Sequence, residues 1–239
     1  AIQGVFHNHT LRSDGINSLE EMVVEAKRLG YRYIGISDHS QSAFYAQGLK
    51  DKDLLEQEKE IRTVQKKFPG VKIFFGVESD ILADGALDYA PGVLDRFDFV
   101  IASIHSRFEM DGETITQRVI EAVKHPRTTM LGHPTGRLLL GRKGYALDVA
   151  RVIAEAAKCG VAMEINSHPQ RLDLDWRWGP ELRKHKAWVS INPDAHEIAG
   201  LQDTRFGVTV ARKALLSRER VLNAMDTAGV EKWLAARRG

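Results

Sequence analysis

Short apolar runs alternate along the chain with longer amphipathic stretches. Seven runs have the length of a strand: GVFHNH, YIGISDH, KIFFGVES, FVIASIH, TTMLGH, VAMEINS and AWVSINPDAH. Most are separated by stretches with helical spacing of apolar residues, such as DLLEQEKEIRTVQKKF and YALDVARVIAEAAKCG. Alternating strands and helices predict a parallel sheet with helices outside it. Seven such units in 239 residues favour a closed or nearly closed α/β (βα)7 barrel over an open sheet.

The first amphipathic stretch, SLEEMVVEAKRLG, has the signals of a complete helix. Ser18 and Glu21 have the spacing of a capping box, and Gly30 is suited to end the helix. Between these signals an apolar stripe is formed by Leu19, Met22, Val23 and Ala26. The stripe predicts a helix that packs on the sheet with one face.

Composition narrows the class of protein. The 34 basic and 32 acidic side chains give a net charge of +2, which does not indicate nucleic-acid binding by charge alone. The single cysteine, Cys159, cannot form an internal disulfide, so we expect a reducing, cytoplasmic location. Neither a signal peptide nor a long apolar run is visible, so we expect no membrane association. Because Ala1 stands just before the first strand, we expect residues 1–239 to be one domain of a longer chain.

Polar residues fall where the predicted strands end. Six of the nine histidines and two carboxylates lie at these strand ends: His7, His9, His39, Glu78, His105, His133, Asp194 and His196. Asp14 lies in the loop after the first strand. Strand alternation would point His7 and His9 to one side and Asn8 to the other. In a parallel barrel all strands end on the same face, where such folds place active sites. We therefore expect these nine residues to converge.

Imidazole and carboxylate groups together are ligands for Zn²⁺, Mn²⁺ or Fe²⁺. Nine are too many for one ion, which takes about four to six ligands. Two or three ions would share ligands, and Glu78 is suited to bridge them. Clustered ions suit the hydrolysis of phosphate esters, with a hydroxide that they generate as the nucleophile instead of a side chain.

A simpler interpretation exists for each residue alone. A histidine at a strand end is more often a hydrogen-bonded polar residue, and Asp14 in SDG also fits a turn. Asp38 alternates away from His39 and is expected to fix loop structure, and Asp80 is expected to be a loop residue without a metal role. His168 either lines the pocket or is a plain polar residue. Six histidines on one face favour a metal centre.

Basic and aromatic residues in the same loops give a weaker signal. Four arginines either hold phosphate or are solvated surface charges: Arg107, Arg137, Arg142 and Arg171. We expect Arg137 and Arg142 above all to hold a phosphate backbone. Tyr45 in QSAFYAQGL either stacks on a base or packs its loop down.

The motifs HNHTLRSDG, GISDHS, GVESDI, IASIHS, GHP and NPDAH together resemble the PHP (polymerase and histidinol phosphatase) family of metallo-phosphoesterases. The resemblance covers essentially the whole chain. DHSQSAFYAQGL, HPTGRLLLGRKGY and VLNAM are similar to the C-terminal PHP domain of bacterial family X DNA polymerases. The resemblance implies a distorted (βα)7 barrel with three divalent metal ions (Zn, Mn or Fe), and polymerase domains in the same longer chain.

The resemblance also implies a ligand set for each ion. One ion is held by His7, His9, Glu78 and Asp194; the second by Glu78, His105 and His133; the third by Asp14, His39 and His196. The position of Asp14 is histidine in other branches of the family, which makes Mn²⁺ plausible there. Every expected ligand is present, which argues against a degenerate copy.

Three functions remain open at this stage. The first is a metal-dependent 3′–5′ exonuclease or related phosphoesterase acting on DNA 3′ ends. The second is a small-molecule phosphatase of the histidinol-phosphatase type, with a narrower pocket around the same centre. The third is a non-catalytic module whose metals brace the fold. A complete ligand set favours an enzyme.

Overall fold

Seven parallel strands form the central sheet, in the order of the chain. The computed structural model describes residues 2–237, and its strands are β1 (Gly4–Val5), β2 (Tyr33–Ile36), β3 (Lys72–Asp80), β4 (Phe99–Ser103), β5 (Met130–Leu131), β6 (Ala162–Asn166) and β7 (Val189–Asn192). All six neighbouring pairs are parallel. The sheet is a nearly closed (βα)7 barrel, which confirms the predicted fold class.

Helices connect successive strands along the outside of the barrel. Within the described residues they are α1 (Leu19–Arg28), α2 (Asp51–Lys67), α3 (Pro91–Leu94), α4 (Gly112–Lys124), α5 (Val149–Cys159), α6 (Gly179–Lys184), α7 (Thr204–Lys213) and α8 (Thr227–Arg237). Short 3₁₀ turns interrupt the loops at Phe44–Ala46, Trp176–Trp178, Ile198–Asp203, Arg218–Arg220 and Leu222–Ala224. No helix among residues 2–237 has the length and apolar character needed to cross a bilayer.

Helix α1 begins and ends as its sequence predicts. The backbone N–H of Glu21 donates to Ser18 Oγ at 3.3 Å, and the Ser18 N–H donates to the Glu21 carboxylate at 2.7 Å. Gly30 follows the helix with φ of +82°, a backbone conformation that favours glycine. All four residues of the apolar stripe are buried.

Aromatic rings fill the lower half of the barrel. Phe6 packs against Tyr33, Phe74 and Phe99, with ring centroids 5.0–5.8 Å apart. Gly76 lies beside Phe99, and a Cβ at that position would overlap its ring. Leu234 of α8 and Leu222 pack on the same cluster and cover the lower end of the barrel.

The segment after α7 fills the gap between β7 and β1. Asn223 accepts the N–H of Ile191 at 2.6 Å and donates to Gly4 O at 3.1 Å, so one side chain joins both edge strands. At the upper end, the His9 N–H donates to Ala195 O at 2.8 Å. A short segment therefore completes the barrel where direct pairing of β1 and β7 is missing, and brings the loops after these strands together.

Candidate metal centre

The nine residues predicted to bind metal lie together at the carboxyl-terminal end of the barrel. Glu78 lies within β3, and the others lie in loops: His7, His9 and Asp14 after β1, His39 after β2, His105 after β4, His133 after β5, and Asp194 and His196 after β7. Six are buried, and Asp14, His105 and His196 are partly buried. The convergence expected from strand ends is what the fold produces.

Glu78 is at the middle of the group. Its carboxylate lies against five imidazoles, at 2.8 Å from His133, 3.1 Å from His7 and His39, 3.3 Å from His105 and 3.6 Å from His9. Both carboxylate oxygens take part in these contacts. A carboxylate in this position is suited to bridge ions.

The two aspartates lie on either side of His9. Asp194 Oδ1 is 3.4 Å from the Nε2 atoms of both His7 and His9. Asp14 Oδ2 is 3.3 Å from His196 Nε2 and 3.5 Å from His39 Nε2. The His9 ring is stacked against each of the latter two imidazoles, with its centroid 4.5 Å from that of His39 and 4.2 Å from that of His196.

Donor atoms lie within 4.8 Å of one another in four overlapping groups, which are His9, Asp14, His39 and His196; His7, His9 and Asp194; His7, Glu78 and His133; and His39, Glu78 and His105. Within residues 2–237 these groups contain the nine predicted residues and no others. His7, His9, His39 and Glu78 each belong to two groups, whereas in the expected sets only Glu78 is shared. The division of ligands between ions stays a prediction.

Buried ring nitrogens without hydrogen-bond partners support a metal in this place. Among the described residues, His7 Nε2, both ring nitrogens of His9, and the Nδ1 atoms of His39 and His133 are buried without one. Native proteins rarely leave buried polar atoms unpaired, and these atoms face a nitrogen and oxygen donor set suited to Zn²⁺, Mn²⁺ or Fe²⁺. The residues present therefore fit divalent ions.

Burial and neighbouring charges favour the ligand forms of several groups. Burial, with His196 and His39 nearby, lowers the pKa of His9 to about 3. Burial also lowers the pKa of His133 to about 4, with a contribution from Arg171. Burial opposes ionisation of Glu78, but the surrounding imidazoles outweigh it and hold its pKa well below the usual value. Neutral imidazole and ionised carboxylate are the forms that bind metal. At three other imidazoles burial is outweighed by neighbouring carboxylates, which raise the pKa of His7 well above its usual value and the pKa of His105 and His196 to about 9.

The backbone of the ligand loops departs from the expected strand geometry. β1 ends at Val5, and His7 has φ of +34°, so His7 and His9 do not lie on a regular strand as alternation predicts. Their rings still face one centre, 5.4 Å apart, while Asn8 turns away and donates to Gly35 O at 2.8 Å. His133 and Asp194 also have positive φ, of 23° and 53°. Such conformations cluster at functional sites.

Two carboxylates orient the imidazoles from behind. Glu164 Oε1 lies 2.6 Å from His7 Nδ1, and Glu164 Oε2 accepts a hydrogen bond from the backbone N–H of His133 at 2.6 Å. Asp80 Oδ1 lies 2.6 Å from His105 Nδ1. The expectation of a loop position for Asp80 is wrong, because it is the last residue of β3 and buried. Sequence reasoning missed Glu164, although a glutamate inside the apolar run VAMEINS is a signal.

Asp38 has the loop-fixing contacts expected of it. It accepts the Thr10 N–H at 2.7 Å and the Ser13 hydroxyl at 2.6 Å, and also accepts from the amide of Gln57 at 2.5 Å. These bonds hold the loop after β1, which carries Asp14. Asp38 thus supports the centre without belonging to any of the candidate ligand groups found in residues 2–237.

The four arginines lie in different surroundings. Arg137 forms an ion pair with Asp175 at 2.8 Å and donates to Arg171 O at 3.0 Å, so it joins two loops, and its expected contact with phosphate stays a prediction. Arg142 donates to Gly136 O at 2.9 Å with its guanidinium over the Phe108 ring, and Arg107 is exposed. Arg171 lies against the predicted ligands, with Nε 3.1 Å from Asp194 Oδ2.

An open cleft of about 610 Å³ leads to one side of the centre. Its lining includes Asp194, His196 and Arg205. His168 also lines this cleft, which agrees with the pocket alternative for that residue. The cleft therefore reaches the side of the centre that carries Asp194 and His196.

Comparison with known proteins identifies related sequences. A family model described as PHP domain matches residues 6–168. The chain is 41% identical over 233 residues to the DNA polymerase/3′-5′ exonuclease PolX of Bacillus subtilis, which covers 98% of this chain and 41% of that protein. It is 26% identical over 230 residues to a probable phosphatase of Shewanella sediminis, covering 91% of this chain and 87% of that protein. The chain thus spans less than half the length of the Bacillus relative.

A solved structure has a similar fold. Histidinol phosphate phosphatase from Lactococcus lactis, complexed with zinc, L-histidinol and phosphate, aligns with a TM-score of 0.62 at 20% sequence identity. The alignment covers 90% of this chain and 95% of that chain. At this identity the likeness concerns the fold.

Proposed function

The chain belongs to the PHP domain family of metal-dependent phosphoesterases, and we propose that within this family it is a 3′–5′ exonuclease acting on DNA 3′ ends. The observation that carries a hydrolytic function is the nine-residue centre around Glu78, complete and built from groups suited to divalent ions. The preference for DNA rests on the relative PolX, which is similar over 98% of this chain.

The residues of the centre have distinct roles in this proposal. Bound divalent ions would supply Lewis acidity toward the phosphoryl group and activate water near neutral pH. Glu78 and Asp194 hold negative charge between the imidazoles, and Glu164 keeps the ring of His7 in place. We assign three ions to the centre, with Zn²⁺, Mn²⁺ or Fe²⁺ as candidates and the nine residues as their ligands.

Arg171 is the arginine that we propose to hold substrate. Its Nε lies 3.1 Å from Asp194 Oδ2, so the guanidinium is at the edge of the centre. A guanidinium in this position can donate to non-bridging phosphate oxygens. Arg107 and Arg142, which lie in exposed loops, would contact phosphates further along the strand.

We also propose that residues 1–239 act as one PHP domain beside polymerase domains of a longer chain. Support comes from the Bacillus relative, of which the match covers 41%. In that arrangement the polymerase part would deliver a DNA 3′ end to the centre.

The test is an assay on a 5′-labelled single-stranded oligonucleotide with Mn²⁺. We expect stepwise shortening from the 3′ end by the metal-loaded protein, and at least about 100-fold slower shortening by His9→Ala. His185→Ala is the matched control, because His185 lies at the end of α6 and pairs with Glu181. Absence of shortening by the loaded wild type would overturn the proposed function.

A small-molecule phosphatase is the second candidate. It is favoured by the probable phosphatase of Shewanella sediminis, which matches over 87% of its own length. Histidinol phosphate and other phosphomonoesters should be assayed beside the oligonucleotide. A kcat/KM on one monoester that is far above the value on DNA would favour this candidate. Metal binding that stabilises the fold, without turnover of any substrate, would indicate a bracing module.

A further inference from the structure

Two large aromatic side chains project into solvent on the loop after β2, where Tyr45 contacts His39 and His105 of the candidate metal centre. Phe44 is 83% exposed and Tyr45 is 68% exposed, on the 3₁₀ turn that follows β2. Exposing two adjacent rings is unfavourable in water. Their position beside a candidate active site therefore requires an explanation.

The rings are not what holds their loop to the protein. Ala43, Ala46 and Leu49 are buried apolar residues of the loop. The Ser42 N–H donates to the Asp88 carboxylate at 2.7 Å, and Tyr89 donates to Leu49 O. The loop is thus fixed on both sides of the turn by other residues. Of the two alternatives for Tyr45, packing the loop down has little support.

Tyr45 lies directly beside predicted metal ligands. Its ring centroid is 6.1 Å from that of His39 and 6.2 Å from that of His105, edge-on to both. The same loop is tied to the ligands through Asp80, which accepts the Ser42 hydroxyl at 3.0 Å and contacts His105 at 2.6 Å. A phosphoester held at the centre would place its neighbouring group against this ring.

The loops after β4 and β5 add positive charge to this end of the barrel. Arg107, Arg142 and Lys143 are exposed there. Arg142 is supported by Phe108, whose ring lies 4.2 Å from the guanidinium carbon. An aromatic surface together with cations is the combination that binds single-stranded nucleic acids through bases and phosphates.

We propose that Phe44 and Tyr45 form a stacking subsite for the terminal nucleobases of a single strand whose 3′ phosphodiester lies at the metal centre. This inference rests on the proposed exonuclease function and names the part of the substrate that is recognised. Stacking tolerates every base, so the subsite selects strands that carry bases without selecting a sequence. Small aliphatic phosphomonoesters would leave both rings in water.

The test compares two single-stranded oligonucleotides that differ only at the 3′-terminal residue. One ends in a normal nucleotide and the other in a tetrahydrofuran abasic residue, so charge and scissile bond are the same. We expect wild-type kcat/KM to be about ten-fold higher on the base-bearing strand, within the range that base stacking gives. Phe44→Ala/Tyr45→Ala should reduce this ratio to near one.

Single substitutions of Tyr45 distinguish stacking of a base on a flat ring from contact with any apolar side chain of similar size. Tyr45→Phe should keep most of the preference and Tyr45→Leu should lose it. Leu215→Ala removes an apolar side chain that is 72% exposed beyond α7, and it should leave both rates unchanged. Equal wild-type rates on the two strands would overturn the subsite while the exonuclease function stands. No turnover of either strand would overturn the exonuclease function and the subsite with it.

Discussion

Single residues behind the predicted metal ligands fix the geometry of the centre. Glu164 is fully buried and contacts His7, the backbone of His133 and the amides of Asn166 and Asn192. Partners of this kind orient a ligating imidazole and increase its basicity. The effect of such a residue on metal affinity can be measured without any substrate.

Glu164→Gln should weaken metal binding by about 10–100-fold, because it keeps the shape of the side chain and removes the charge facing His7. Titration with a competing chromogenic chelator measures the change. Glu155→Gln is the control, since Glu155 lies on the outside of α5 and pairs with Lys158. Equal affinities for the two variants would contradict the role assigned to Glu164.

The buried carboxyl group of Asp173 is expected to make the free energy of unfolding depend on pH. Burial raises its pKa to about 6, although the Thr135 N–H donates to it and Arg137 and Arg171 lie nearby. Because the fold favours the neutral acid, this residue lowers the free energy of unfolding as pH rises from about 4 to about 6, and the loss persists above that range.

Asp173→Asn should therefore gain stability relative to wild type, by up to about 2–3 kcal/mol between pH 4 and pH 7. Urea unfolding of chelator-treated protein at several pH values measures the difference. Arg137, Arg171 and Tyr145 lie near Asp173 and are present in both proteins, so their titration independent of Asp173 is the same in the two curves. Parallel pH curves would show that Asp173 is already ionised in the fold.

At the scale of elements, local sequence signals govern helix ends. In α1 the capping box satisfies backbone N–H groups at the start of the helix, and the apolar stripe determines the face that packs on the sheet. The loops after the strands behave differently, since long-range hydrogen bonds such as those of Asp38 hold them.

Ser18→Ala should lower the free energy of unfolding by about 1 kcal/mol, because Ser18 accepts a helix N–H. Ser217→Ala is a matched control, because Ser217 precedes a 3₁₀ turn without a side-chain capping bond. The control should change stability by less than about 0.5 kcal/mol. Denaturant unfolding measures both, and equal losses would contradict the capping argument.

At the scale of the whole molecule, the centre joins strand β3, which carries Glu78, to the loops that follow five other strands. Among the described residues, five buried ring nitrogens of this centre have no hydrogen-bond partner in the protein. Metal ions that bind only the folded state stabilise it by mass action. The centre is therefore expected to stabilise the barrel as well as to serve a reaction.

Removal of metal by a chelator should lower the Tm by several degrees, since a stabilisation of about 1 kcal/mol shifts Tm by about 2–4 °C in a domain of this size. Scanning calorimetry with and without chelator measures the shift. His9→Ala should abolish most of the chelator effect, and His185→Ala should keep it. An unchanged Tm in the wild type would show that metal contributes nothing to stability.

The sequence by itself determined the repeating architecture and the identity of the residues at the centre. The spacing of apolar residues and the helix-capping signals predict seven strand and helix units. The parallel arrangement of the strands then places His39, Glu78 and His133 on the face at the carboxyl-terminal ends of the strands. These features follow from local pattern, because strand ends and helix caps are encoded by neighbouring residues.

Tertiary structure alone decided how those residues are arranged and supported. The positive φ of His7, the position of Glu164 behind it and the turn of Arg137 toward Asp175 depend on contacts between segments distant in sequence. The pairing of His9 with both aspartates has the same origin. Periodicity gives the face on which a side chain lies, whereas its partner and direction depend on packing that only the folded chain supplies.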